Sequence, residues 1–393
     1  MSKLTLDDLD LAGRRVLVRV DFNVPLENGA ITDDTRIRGA LPTIQAILDA
    51  GGTPILMSHL GRPKGAPDPA YSLTPVAEHL GSLLDAPVVF AGATVGDEAA
   101  RAIADAPEGA VVLLENTRFY PGETANDADF ARQLAALGDV FVSDAFGAAH
   151  RAHASTVGVT QFVEQSAMGY LLQREAEVLG DALEDPARPF VAVLGGAKVS
   201  DKLGVIKALL GKVDRLLIGG AMSYTFLKGL GHDVGDSKVE DDLTDEAFRL
   251  FDGAREQIVL PSDHVVADAF DNDAEQRVVE GEIEHGMALD IGPQTRDQYR
   301  QILLDAQTVI WNGPMGVFEM PNFAAGTLAV ADALADATRE HDALTIVGGG
   351  DSVAAITQAG YDDDVSHVST GGGAMLEFLE GDVLPGIAAL TDK

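Results

Sequence analysis

Short apolar runs rich in Val, Ile and Leu alternate along this chain with longer stretches whose apolar positions recur every three or four residues. Runs at 16–20, 54–57, 88–90, 111–114 and 140–142 in the first half read as strands, as do 190–194, 215–218, 257–260, 308–311 and 344–347 in the second. Strands that alternate with helices predict an α/β fold of parallel sheets with crossover helices. Between the halves, Met168, Leu171, Leu172, Ala176, Leu179 and Leu183 keep helical spacing up to Asp185-Pro186 and Pro189, which predicts a helix joining two lobes. Most predicted strands end in polar residues or glycine, and the carboxyl ends of parallel strands are where α/β proteins hold ligands.

Composition narrows the function. A chain of 393 residues exceeds one ordinary core, so two domains are expected, and 46% hydrophobic residues exclude wholesale disorder. No apolar run reaches the ~18 residues of a membrane span. The start, Met1-Ser2-Lys3-Leu4, lacks the apolar centre of a secretion signal, so a cytoplasmic location without membrane attachment is expected. The absence of cysteine removes disulfides, thiolate metal sites and thiol nucleophiles. A net charge of -34 argues against a general nucleic-acid-binding surface. Only 9 of the 28 basic residues are lysine, a haloarchaeal-like balance that predicts adaptation to concentrated salt.

Scarce cations at strand ends then stand out. Gly195-Gly196-Ala197-Lys198-Val199-Ser200-Asp201-Lys202 follows a strand and opens a helical pattern. Glycines let main-chain amides approach an anion, a helix N-terminus attracts one, and Lys198 and Lys202 are expected on one helix face. A tight turn with two surface lysines is the plainer alternative. Gly348-Gly349-Gly350-Asp351 and Thr370-Gly371-Gly372-Gly373 repeat the pattern, which suggests a nucleotide site. Asp351 suits either a Mg²⁺ ligand or a helix N-cap. There is no G-x-x-x-x-G-K-[ST] and no strict G-x-G-x-x-G, so neither a P-loop nor a dinucleotide fingerprint is present.

In the first half, Arg19-Val20-Asp21-Phe22-Asn23, Arg36, His59-Leu60-Gly61-Arg62, Arg118 and His150-Arg151-Ala152-His153 place cations after successive strands. One such residue is unremarkable; several at one sheet edge suit a small, multiply charged anion.

These blocks, with Trp311-Asn312-Gly313-Pro314 and Gly316-Val317-Phe318-Glu319, resemble phosphoglycerate kinases along nearly the whole chain. The resemblance implies two Rossmann-like three-layer α/β/α domains with parallel sheets and an interdomain helix. Residues 1–168, with a returning tail at 379–393, would bind 3-phosphoglycerate or 1,3-bisphosphoglycerate. Residues 169–378 would bind Mg²⁺ with ADP or ATP. It assigns the acid to Asp21, Phe22, Asn23, Arg36, His59, Leu60, Gly61, Arg62, Arg118 and Arg151. It assigns the nucleotide to Lys202, Asn312, Glu319, Gly348, Gly349, Gly350, Asp351 and Ser352, with Asp351 toward the metal. Arg36, Lys198, Gly371, Gly372 and Gly373 would surround the phosphoryl group in flight. Domain closure, with hinges at the linking helix and Thr370-Gly371, and a monomeric state are also implied. A non-catalytic binding protein for phosphorylated metabolites, or a dinucleotide oxidoreductase, stays open as an alternative; the second glycine-lined site disfavours the former and the missing fingerprint the latter.

Overall fold

The computed structural model describes residues 2–393, and the chain divides into two compact units, Met1–Glu177 with Val383–Lys393, and Val178–Asp382. The first is built on six parallel strands: β1 (Arg15–Val20), β2 (Thr53–Met57), β3 (Val88–Phe90), β4 (Val111–Leu113), β5 (Val140–Asp144) and β6 (Ser166–Met168), in the order β3-β4-β2-β1-β5-β6. Val16, Leu17, Val18, Ile55 and Leu56 are fully buried, as in strands covered on both faces. Pairing proceeds from β1 to β2 on one side and to β5 on the other, so a crevice opens at the carboxyl end of β1. The C-terminal segment lies on this unit: Lys3 Nζ donates to the Ala388 and Leu390 carbonyls at 2.9 and 2.8 Å and pairs with Asp392 at 2.7 Å. Leu379, expected in that tail, is buried in a helix of the second unit, and the chain joins the first unit from Val383.

The second unit has a parallel sheet of its own. Its strands are β7 (Phe190–Leu194), β8 (Arg215–Ile218), β9 (Ile258–Val259), β13 (Thr308–Asn312), β14 (Leu344–Gly348) and β15 (His367–Val368), in the order β9-β8-β7-β13-β14-β15. Between them in sequence comes an antiparallel sheet, β10 (Asp263–Ala267), β11 (Gln276–Glu280) and β12 (Met287–Ile291). The apolar runs do not predict it, because β11 is largely exposed and reads Gln-Arg-Val-Val-Glu. No helix of the described residues is long and apolar enough to cross a membrane.

The helices used below are α1 (Thr35–Asp49), α2 (Tyr170–Glu184), α3 (Leu203–Leu210), α4 (Met222–Gly229), α5 (Pro293–Leu304), α6 (Ala325–His341), α7 (Gly350–Ala359) and α8 (Gly372–Glu380). The predicted joining helix is α2, with Leu172, Leu179 and Ala182 buried; Met168 belongs to β6 instead, where it pairs with Ser143. Three helices take their N-terminal caps from a distant buried aspartate. Asp144 Oδ1 accepts from the Leu171 and Leu172 amides of α2, Asp263 from the Gln294 and Thr295 amides of α5, and Asp290 from the Gly326 amide of α6. A carboxylate satisfies donors a helix start leaves open and complements its dipole. A Cβ on Gly169 would come within 2.3 Å of Asp144 Oδ1, and one on Gly292 within 2.2 Å of Asp263. Glycine is what lets these carboxylates approach.

Candidate active site

In the first unit, β1, β2, β4 and β5 run parallel, so the residues that follow them gather at one sheet edge. Arg62, Arg118, Arg151 and His153 line a cavity of about 300 Å³. Asn23 and Arg36 line a neighbouring hollow of about 380 Å³ with Asp33. Asp21 lies 3.4 Å from Arg36 Nη1 and 3.8 Å from His59 Nδ1. Arg36 Nη1 also donates to the Asn23 carbonyl at 2.9 Å, and the Gly61 amide donates to Asn23 Oδ1 at 2.8 Å. Phe22 and Leu60 belong to the hydrophobic core, so their side chains face away from these hollows and only their main-chain groups are left for a ligand.

The cations crowd one another. Burial, followed by the charges of Arg151 and Arg19, pulls the Arg118 pKa down to about 10. Burial and then Arg118, Arg19 and Arg151 lower His153 to about 4, and burial with the same arginines and Arg36 puts His59 well below its ordinary value. His150 is lowered by burial and Arg151, whose Nε donates to His150 Nε2 at 3.0 Å. An anion placed here relieves this repulsion. Arg118 Nη1 donates to the Gly61 carbonyl at 2.7 Å, while its buried Nε has no hydrogen-bond partner among the described residues.

Arg19, Glu123, Ser155 and Asn116 support this edge from beneath. Arg19 is fully buried; its Nε donates to Ser155 Oγ at 2.8 Å and its Nη2 lies 3.0 Å from His59 Nδ1. Glu123, also fully buried, accepts from the Ser155 amide and hydroxyl at 3.0 and 2.5 Å and adds the compensating negative charge. Asn116 binds the Leu60 and Tyr71 carbonyls and caps the turn bearing Arg118. Arg19 stands beside the predicted motif, but nothing in the spacing reveals that Glu123 or Ser155 would reach it.

In the second unit the strand-end glycines meet at the switch between β7 and β13. The Gly195 amide donates to the Asn312 carbonyl and the Gly196 amide to the Pro314 carbonyl, at 3.0 and 2.9 Å. A Cβ on Gly220, at φ +66°, would lie 2.5 Å from Gly196 N, and one on Gly313, at φ +100°, would lie 2.3 Å from the Gly195 carbonyl oxygen. Only glycine combines those angles with that contact. On one side of this cradle is a cavity of about 350 Å³, lined by Gly196, Ala197, Gly220, Ala221 and Tyr224, by Met287 to Asp290 of β12, and by Glu319 and Asp351. Its walls are mainly apolar, as suits a base and sugar, with carboxylates at the rim.

Lys198 and Lys202 do not share a helix face: α3 begins at Leu203, and the glycine turn leaves Lys198 exposed while Lys202 is buried. Lys202 Nζ donates to the Asn312 side-chain oxygen and, at 3.1 Å, to its carbonyl. Burial lowers the Lys202 pKa to about 8 despite the nearby charges of Asp351 and Asp201. Asp351 lies in the first turn of α7, whose cap position is Gly349; Gly371 holds the equivalent place before α8, and neither cap supplies a side-chain acceptor. Amides of both first turns are therefore open to an anion. Gly348 and Gly350 flank the first cap, and Gly372 and Gly373 open α8. Ser352 is buried, and its Oγ accepts from the Gly313 amide at 2.6 Å, bracing the cradle.

Gly220 of the Gly219-Gly220 pair also lines the cavity, and a glycine pair after the predicted strand 215–218 is the same signal as Gly195-Gly196. Leu289 and Asp290 have no such signal, because they arrive on the unpredicted antiparallel sheet.

The family model described as phosphoglycerate kinase matches residues 6–382. Phosphoglycerate kinases of Salinibacter ruber and Chloroherpeton thalassium are 60% and 56% identical to this chain, each compared over the full length of both proteins. The solved phosphoglycerate kinase of Coxiella burnetii superposes with a TM-score of 0.87 at 41% identity, covering 98% of each chain. That of Pyrococcus horikoshii gives 0.85 at 33% identity with the same coverage. With this agreement across its length, in both sequence and fold, the chain belongs to the phosphoglycerate kinase family.

Proposed function

We propose that the protein catalyses reversible phosphoryl transfer between 1,3-bisphosphoglycerate and ADP, giving 3-phosphoglycerate and ATP. The observation that carries this reading is the presence of a separate anion-binding set at the sheet edge of each unit. The Arg62, Arg118 and Arg151 cluster holds the acid, with Asp21, Asn23, Arg36 and His59 beside it. The apolar cavity takes the nucleoside, Glu319 meets the ribose hydroxyls, and Lys202 and the amides of α7 and α8 face the phosphates.

In the forward direction an oxygen of the ADP β-phosphate bonds to the acyl phosphorus as the bond from that phosphorus to the carboxylate oxygen breaks. Attacking and leaving oxygens are both anionic near neutral pH, so no proton moves and no general base is needed. Catalysis comes from in-line positioning, with reacting atoms brought to about 3 Å, and from cations on the equatorial oxygens. Lys198 and Arg36 supply that charge, with the first-turn amides of α8 from Gly371 to Gly373.

Asp351 fits a Mg²⁺ ligand. Its exposed carboxylate lines the nucleotide cavity, and among the described residues no cluster of three or more His, Asp or Glu offers a closed protein cage. One carboxylate suits an ion that takes its remaining ligands from phosphates and water. When bound, the ion offsets charge on the nucleotide phosphates. The proposal is tested in the reverse direction by phosphorus NMR of the protein with ATP, 3-phosphoglycerate and Mg²⁺: an acyl phosphate and ADP should grow together, and their absence removes the reading.

A further inference from the structure

The loop that carries Lys198 is held by few bonds of its own. It runs from Gly196 to Lys202 before α3 begins, with Ala197, Lys198, Ser200 and Asp201 exposed. Its internal main-chain tie is the Lys202 amide to the Val199 carbonyl at 2.9 Å; at its start the Gly196 amide donates to the Pro314 carbonyl at 2.9 Å and the Gly196 carbonyl accepts from the Met222 amide at 3.0 Å. An ammonium needed at one point in space requires something more. Glu240 supplies it from outside: Oε1 accepts from Ser200 Oγ at 2.6 Å and Oε2 from the Ser200 amide at 3.0 Å. Burial works to raise the Glu240 pKa, but the Ser200 hydroxyl, the Ser200 and Val199 amides and the Lys198 charge outweigh it and hold the carboxyl below its ordinary value.

Glu240 is itself firmly placed. Its amide donates to the buried Thr225 Oγ1 of α4 at 3.1 Å. Just before it, the Asp236 amide donates to the Gly286 carbonyl at 2.8 Å, and Ser237 Oγ accepts from the Ala288 amide at 3.0 Å. Asp236 and Lys238 line the nucleotide cavity together with Met287 to Leu289. Residues 236–240 thus form part of the nucleotide cavity wall at one end and grip the lysine loop at the other.

We propose that Glu240 is a positioning residue for Lys198: by clasping Ser200 it fixes the loop that presents the lysine to the transferring phosphoryl group. The assignment rests on the phosphotransferase reading. It differs from ordinary loop stabilisation in acting through one side chain, and charge-assisted hydrogen bonds of this kind give the directionality that role needs.

The test uses the full chain with Glu240→Ala, Glu240→Gln, Lys198→Ala and the Glu240→Ala/Lys198→Ala pair. Glu240→Ala should lower kcat about ten-fold with both KM values within about two-fold, since displacement of a catalytic group by about an ångström costs rate more than binding. Glu240→Gln, which keeps an oxygen acceptor, should recover most of the loss. In the Lys198→Ala background, Glu240→Ala should add nothing. Amide hydrogen exchange over residues 197–201 should speed up in Glu240→Ala and change little in Glu240→Gln, whatever the turnover. Unchanged exchange, a kcat equal to wild type, or an equal loss with Lys198 already removed would each overturn the proposal. A wild type that exchanges as expected but transfers no phosphoryl group would overturn the phosphotransferase reading, and with it the assigned role, while leaving the clasp.

Discussion

Lys202 donates its ammonium to both oxygens of Asn312, so a buried cation at the start of α3 is tied to the residue that ends β13. The pairing sets the lysine behind the strand-end cradle and, through burial, lowers its pKa to about 8.

A pH dependence follows. With Lys202 facing the nucleotide phosphates as proposed, its protonated form is the one that binds, so nucleotide kcat/KM should decline as pH rises through about 8 in the free enzyme. Lys202→Met should raise nucleotide KM by about ten-fold or more and flatten that limb. A wild-type profile flat to pH 9.5 would assign the lysine a structural role.

Lys198 is exposed, so its loss should leave ground-state affinity largely intact. Lys198→Ala should lower kcat by about 100-fold or more with smaller changes in either KM, as for a cation used in the transition state. A loss confined to nucleotide KM would make it a binding residue.

Among the described residues, the buried Nε of Arg118 has no hydrogen-bond partner. Arg118→Ala should raise the KM for 3-phosphoglycerate about 10- to 100-fold and leave the nucleotide KM within about two-fold. Equal effects on both substrates would contradict separate sites.

Asp144 caps α2 from a fully buried position, and burial raises its pKa to about 6 despite the hydrogen bonds it accepts. With the folded value above the unfolded one, the native state binds more protons between about pH 4 and 6, and stability is lost as pH rises through that window. Asp144→Asn removes the titration and keeps an acceptor. The variant should gain stability relative to wild type across this range by on the order of 1–3 kcal/mol, read from denaturant midpoints at each pH. A constant difference from pH 4 to 7 would contradict the assignment.

The acid surface gives a fifth expectation. Repulsion among 62 acidic side chains is strongly screened at ~1 M salt, where the Debye length is about 3 Å, so the melting temperature should rise from dilute buffer to molar KCl. Equal stability in both would remove the salt-adaptation reading.

Much of this was legible in the sequence because parallel strands buried on both faces write continuous apolar runs: 190–194 and 215–218 coincide with β7 and β8. The antiparallel sheet was not, since β11 is largely exposed and has no apolar run. Cation identity was legible from scarcity, but orientation was not. A four-residue spacing places two lysines together only inside a helix, and the glycine turn keeps Lys198 and Lys202 outside one. Partners from distant segments, such as Glu123 for Ser155 or Glu240 for Ser200, depend on tertiary contacts that no local pattern encodes.

Whether two separate anion sites serve one transfer is tested most directly by ATP formation from ADP and 1,3-bisphosphoglycerate. ATP should form in equal amount to 3-phosphoglycerate, dependent on Mg²⁺, nearly abolished by Lys198→Ala, and restored by raised acid concentration in Arg118→Ala. Binding of both ligands with no ATP formed under these conditions would contradict such a transfer.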